Sequence, residues 1–228
     1  MEGTSFTLPE VRMIGRTVFL LEGYHDKGNL LEFIAFCARV SNPENQKRGE
    51  NNERLVRYLL KNGHWSPFEM VHLVFEISTT REVSRQILRH RSFSFQEHSQ
   101  RYASPLVKSR VQSTVNRQGS DVKLSVSHEV EQKWLFYQNA VRDLAENCYS
   151  WAVNNNIAKE VARKVLPEGL TVTKLYMAGT LRSFIHYVQL RTQRDTQPEH
   201  REVAKKIRAI IEKDLGFPFS ILLEDSPK

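Results

Sequence analysis

Residues 85–102, RQILRHRSFSFQEHSQRY, concentrate arginine, histidine, glutamine, serine and glutamate in one short stretch. On a helix through 81–91, Gln86, Arg89 and His90 fall at i, i+3 and i+4 and share a face, while Arg91 points well away from Arg89. One helix end can thus serve two ligands at once. Arginine holds phosphate by paired hydrogen bonds, and Gln86 adds a neutral amide for a base or ribose edge. The competing reading is that basic groups near a helix C-terminus merely complement its dipole.

Nucleophilic alternatives are poorly served. Ser99 lies near His90 and His98 in sequence, but no orienting acid completes a triad, so phosphate binding is the better reading of this serine. Cys37 and Cys148 lie on apolar helical stripes and are expected to be buried free thiols, not a thiolate in an open, electropositive site. His64, His72, His90 and His98 match no helical pair or zinc spacing, so no metal is expected. Trp65 and Trp134 read as core or interface residues before ring-stacking ones. Neither a GxGxxG fingerprint nor a P-loop occurs.

After RHR come Ser94, Gln96, Glu97, Ser99 and Arg101, giving RHR-x2-S-x4-S-x-R. This pattern resembles the signature of the flavin-dependent thymidylate synthases. CARVSNP (37–43), NGHWSPFE (62–69), KEVARKVLP (159–167) and TLRSFIHYVQLR (180–191) resemble the family's other blocks in the family's order, so the likeness runs from about residue 30 to 205. The resemblance implies that FAD is bound by Ser41, Ser66, Arg89, His90, Arg91 and Glu97, with Thr180, Leu181, Arg182 and His186. Thr180 stands where asparagine is common. It implies that dUMP is held by Gln86, Ile87, Leu88, Arg89, Glu97, His98, Ser99, Gln100, Arg101, Arg163 and Arg191, and that Arg191 is the catalytic residue favouring ionisation at uracil N3. It further implies a folate co-substrate, 5,10-methylenetetrahydrofolate, with NADPH as reductant and dTMP as product, and a homotetramer with shared active sites.

Physical chemistry agrees with that assignment. Methylating C5 of uracil needs electron density on that carbon, and a fixed guanidinium beside the pyrimidine stabilises the negative charge as it develops. A reduced flavin supplies the hydride, leaving position and charge to the protein.

Hydrophobic periodicity gives the elements that must position these residues. Strands are expected over 11–22, from its β-branched and aromatic residues, through MVHLVFEIST (70–79), from its alternation, and through TVTKLYMAG (171–179). Helical spacing predicts helices from Leu30 to Val40, stopped by SNPENQ, and from Glu53 to Lys61. A further helix is expected over 81–91, with Thr80 as its cap, followed by loop or extended chain through SFSFQEHSQRY. Residues 103–126 read as loop with one or two short strands. A long helix from Ser127 to Asn154 carries the stripe Val130, Trp134, Tyr137, Val141, Leu144, Cys148 and Trp151. Helices over 158–166, 180–191 and 197–215 complete the chain. Connections do not repeat as βαβ, so the expected class is mixed α/β of the α+β type. A small, mostly antiparallel or mixed sheet is flanked by helices in a single domain over 1–228.

The net charge of +7 calls for an anionic partner. Interleaving of Arg89, Arg91 and Arg101 with Phe93, Phe95 and Tyr102 keeps nucleic-acid binding as the rival, and methylation of another pyrimidine as a third reading. Long like-charge runs are absent, which favours small phosphates over nucleic acid. No apolar stretch approaches the roughly 20 residues that span a bilayer. No secretory signal is visible at the N-terminus, so a cytoplasmic location is expected.

Overall fold

The computed structural model describes residues 9–20, 29–99, 111–112, 120–121 and 127–219. In chain order its elements are β1 (Glu10–Arg16), α1 (Leu30–Ala38), α2 (Pro43–Arg48), α3 (Asn52–Lys61), a 3-10 turn (Ser66–Met70), β2 (His72–Thr80), α4 (Arg81–Ile87) and β3 (Ser94–Glu97). There follow β4 (Val111–Gln112), β5 (Ser120–Asp121), α5 (His128–Asn154), α6 (Lys159–Ala162), a second 3-10 turn (Arg163–Val165), β6 (Val172–Thr180), α7 (Leu181–Arg191) and α8 (Pro198–Leu215).

Four strands form an antiparallel sheet in the order β1-β2-β6-β3, and β4 pairs with β5 separately. The fold is the mixed α/β class expected. Its spine is the β2–β6 pair, in unbroken register from His72 opposite Thr180 to Thr80 opposite Val172. The alternation read in the sequence turns Leu73, Phe75 and Ile77 inward with Leu175 and Met177, where α7 (Phe184, Val188) and α8 (Val203, Ile207) complete the core.

Both central strands run directly into helices at a threonine. Thr180 Oγ1 accepts from the Ser183 amide at 3.2 Å and caps α7. Thr80 holds the equivalent place before α4, but its hydroxyl makes no capping bond and is buried without a partner. Because β2 and β6 are antiparallel, α4 and α7 leave from opposite ends of the sheet, and their C-terminal ends converge. That convergence positions the site.

Several boundaries differ from the sequence reading. β1 stops at Arg16 because β2 begins at His72; the Thr17 amide still reaches the His72 carbonyl (2.9 Å), and beyond it the ladder has no partner. Residues 21–22 of that expected strand lie outside the described residues. The stretch expected only to stop α1 also starts α2: Asn42 accepts from the Asn45 amide at 3.2 Å, and Pro43 occupies the first turn. α4 ends at Ile87 rather than Arg91, after which the Arg89 and His90 amides bond three residues back, to Gln86 (3.4 Å) and Ile87 (3.0 Å). Gln86 and Arg89 thus align through a tighter 3-10 turn, and His90 follows Ile87 instead of sharing a regular helical face with them. The helix expected over 158–166 is split into α6 and a 3-10 turn ahead of Pro167, whose ring disfavours helical backbone just before it.

The largest correction concerns α5. Its expected apolar stripe, including Trp134, Tyr137, Leu144 and Trp151, is exposed, while Gln138, Ala145, Tyr149 and Ala152 are buried. The helix packs through its C-terminal part on α6, in a small cluster of Tyr149, Ala152 and Ala162 separate from the main core. At its C-terminal end Cys148 and Trp151 line an open apolar groove with Ile157, Val161 and Val165, and the other described residues leave the rest of the stripe uncovered. Cys148 is exposed with it and Cys37 is only partly buried, contrary to the expectation of two buried thiols. Among the described residues, no helix is long and apolar enough to cross a membrane.

Candidate active site

Where the ends of α4 and α7 meet, Arg191 donates its Nε–H to His90 Nε2 at 2.9 Å. That nitrogen must be unprotonated to accept, so His90 is neutral with its proton on Nδ1. Burial, and then the charge of Arg191, push the His90 pKa down to about 4. The His90 ring stands edge-on to Tyr187 (centroids 4.9 Å apart). Tyr187 is fully buried, and burial raises its hydroxyl pKa well above the ordinary value.

Tyr187 in turn meets His200 of α8: its hydroxyl lies 3.1 Å from His200 Nε2. His200 Nδ1 is 3.2 Å from Gln86 Oε1, and Gln86 Nε2 donates to Gln197 Oε1 at 2.5 Å. Burial, then the charges of Arg191 and His90, hold the His200 pKa near 3. Sequence reasoning missed Tyr187, Gln197 and His200. The available signal was that His200 shares an apolar helical face with Val203, Ala204 and Ile207.

From His90 the chain runs back along α7. Ser183 Oγ donates to the Ser92 carbonyl at 3.3 Å, and Phe93 packs on Phe184 (4.8 Å). Gly179 makes that passage possible, since a Cβ there would lie 2.5 Å from the Phe93 ring. Arg89 and Arg91 are exposed on this turn. β3 then turns Glu97 inward, where it accepts from Ser84 Oγ (2.7 Å) and Thr173 Oγ1 (3.2 Å) and lies 3.7 Å from buried Arg81. Among these partners, Arg81, Ser84 and Thr173 were also missed. The His98 amide bonds the Lys174 carbonyl, and Ser99 is exposed; Gln100 and Arg101 lie outside the described residues.

A second group gathers at the start of α7. Arg182 Nη1 donates to Glu69 Oε1 at 2.6 Å, which keeps the Glu69 carboxyl below its usual range. His186, one turn on, packs against Trp65 with centroids 4.7 Å apart, and burial followed by the charge of Arg182 lowers its pKa. Ser66 opens the adjacent 3-10 turn and lines a groove of about 510 Å³ with Phe36, Cys37, His64 and Met70. Ser41 is exposed just after α1. Burial pushes the Cys37 thiol up, away from thiolate chemistry.

Three expected contacts are constrained by packing. Ile87 and Leu181 are buried in the core and Leu88 is packed against it, so for the first two a ligand could be met only by backbone. Arg163 opens the 3-10 turn that packs on α5, and Arg85 of α4 bridges to Glu168 just beyond it (3.3 Å).

Residues 26–215 match the family model described as thymidylate synthase complementing protein. The chain is 45% identical over 185 residues to the flavin-dependent thymidylate synthase of a Synechocystis species, covering 79% of this chain and 83% of that protein. It is 42% identical over 189 residues to a probable flavin-dependent thymidylate synthase of Paramecium bursaria Chlorella virus 1, covering 80% and 86%. In three dimensions it is similar to a UMP/dUMP methylase from Streptomyces cacaoi solved with 5-Br dUMP, at a TM-score of 0.74, 25% identity and 95% coverage of each chain. With a matching family model over most of its length and relatives this similar, the chain belongs to the flavin-dependent thymidylate synthase family.

Proposed function

We propose that the chain reductively methylates dUMP to dTMP, with 5,10-methylenetetrahydrofolate as carbon donor, FAD as hydride carrier, NADPH as reductant and no cysteine nucleophile. The observation that carries the reading is Arg191 fixed against a neutral His90. The bond uses Nε, so the terminal NH2 groups are the ones offered to a pyrimidine. A guanidinium immobilised before the ligand arrives needs no reorganisation as charge develops on the uracil ring.

Arg89, Arg101 and Arg163 are assigned to the nucleotide with Gln86 and Ser99, and the side chains along the first turns of α7 to the flavin. The rings of His186 and Trp65 beside the Arg182 guanidinium offer flat apolar faces and a cation, which suits a flat ring system carrying an anionic diphosphate. Ser41, Ser66, Arg91 and the backbone at Thr180 are assigned to the same ligand. Bound FAD supplies the hydride that reduces the transferred carbon. The protein's own residues hold the nucleotide, keep Arg191 oriented and screen the ring from water.

Self-association into a homotetramer with shared sites is part of the same proposal. The exposed stripe of α5, with Trp134, Leu144 and Trp151, is the kind of surface that a partner copy covers. Arg163 sits at the α5 end of the molecule, so pairing through α5 would bring it to a neighbour's nucleotide.

The test is direct. Purified protein should be yellow, and its reduced flavin should be reoxidised with dTMP formation only when dUMP and the folate are both present. A colourless protein that takes up no FAD would overturn the proposal. A second reading, activity on UMP, is favoured by the likeness to the Streptomyces methylase and is separated by comparing dUMP with UMP as substrate.

A further inference from the structure

Gln86 is the only substrate-assigned side chain held at both ends of its amide by described partners whose bonds form one directed series. The series starts at Glu82 in the first turn of α4. Gln197 Nε2 donates to Glu82 Oε1 at 3.2 Å. A carboxylate only accepts, so this end fixes which way every later group must face. Gln197 must present its Oε1 to Gln86, and Gln86 therefore presents Nε2 (2.5 Å). The Gln86 Oε1 is then left to face His200 Nδ1, which must carry the proton (3.2 Å). His200 Nε2 becomes the acceptor for the Tyr187 hydroxyl (3.1 Å). Every donor points the same way, from Tyr187 to Glu82.

Two further features hold the series in place. Glu82 lies in the first turn of α4, where the helix dipole favours an anion, although burial raises its carboxyl pKa. Its Oε2 packs on Gly169, where a Cβ would lie 3.1 Å away. At the other end His200 is fully buried, so its ring cannot turn to another partner without unpacking α8.

We infer that Glu82, acting through Gln197, and His200, acting with Tyr187, are positioning residues that lock the Gln86 carboxamide in one orientation for the nucleotide. The inference rests on the assignment of Gln86 to dUMP. Each end of the locked amide keeps one unused valence, a second N–H on Nε2 and a second lone pair on Oε1, for the ligand. Flipping the amide would exchange donor for acceptor and leave a mispaired buried group.

The test compares four variants by steady-state kinetics, with thermal midpoint and flavin content measured on each. Gln86→Ala should raise the KM for dUMP. Glu82→Gln, isosteric but uncharged, removes what sets the direction. It should raise that KM by about tenfold, the equivalent of one lost hydrogen bond of about 1.4 kcal/mol, with kcat within about twofold. His200→Leu should do the same. His200→Asn, whose amide nitrogen mimics Nδ1–H, should return the KM to within about twofold of the parent. If His200 only filled space, the apolar Leu would serve at least as well as Asn, and that order of KM values would overturn the inference. A raised KM in Gln86→Ala with parental values in Glu82→Gln and His200→Leu would overturn it while sparing the assignment of Gln86. A parental KM in Gln86→Ala would remove both.

Discussion

Arg191 and His90 come from blocks a hundred residues apart and meet through a single hydrogen bond of 2.9 Å, in which a permanently charged side chain donates to a neutral ring. The contact follows from topology: two helices leaving opposite ends of an antiparallel strand pair converge at their C-termini. It also sets the electrostatics. Burial, reinforced by the guanidinium, keeps His90 deprotonated, and His90 keeps the guanidinium oriented.

Gly179 is required by contact, not by backbone conformation. Gly179→Ala should displace Phe93 from Phe184 and destabilise the protein by about 1–3 kcal/mol, the usual range for overpacking a tight core. Urea unfolding at neutral pH measures this. Because Phe93 follows the Arg89–Arg91 turn directly, the KM for dUMP should also rise, and an unchanged KM and unfolding midpoint would show that the ring moves freely.

Acid should destabilise the fold through its neutral histidines. His200 and His90 have folded pKa values of about 3 and 4, depressed from the ordinary 6.5, so the unfolded chain binds more protons between those limits. Stability is then full above about pH 6.5 and is lost as pH falls through it toward the folded values. His200, fully buried, accounts for about 2 kcal/mol lost at pH 5. His90 is partly solvated and adds less. The urea midpoint should drop between pH 7 and pH 5, and His200→Asn should flatten that slope.

Thiol chemistry is dispensable under the proposed mechanism. The double variant Cys37→Ala, Cys148→Ala should keep kcat within about threefold, since burial already holds the Cys37 thiol protonated and Cys148 lines an apolar groove between α5 and α6. Loss of all turnover with the fold and flavin intact would return the reaction to a thiolate.

The α5 stripe should be an interface. Leu144→Glu with Trp151→Glu places charge in its C-terminal half and should shift the mass measured by light scattering toward the monomer, with loss of turnover if Arg163 serves a neighbour's site. An unchanged mass would place the interface elsewhere.

These residues also show what sequence could reveal. β2, β6, α7 and α8 were legible because their alternation or helical spacing matches burial within one chain: Leu73, Phe75 and Ile77 face the same core as Val203 and Ile207. α5 was legible as an apolar helix but not in its orientation, because periodicity marks an apolar face without saying which molecule covers it. The end of α4 was misplaced since nothing in LRHR breaks a helix; the tightening to 3-10 bonds follows from the chain turning back along α7. The RHR motif and Arg191 were legible through the family resemblance, and their contact was not. Tyr187, Gln197 and His200 lie outside the signature and join it only through three-dimensional packing.

The most direct measurement is single-turnover reoxidation of the reduced flavin, with dTMP quantified, in Arg191→Ala against the parent. Removal of a charge held ready for the uracil ring should slow methylation by about 10²–10³-fold while flavin content and thermal midpoint stay near parental values. Parental rates of dTMP formation in that variant, with the protein folded and flavin bound, would contradict the role given to Arg191.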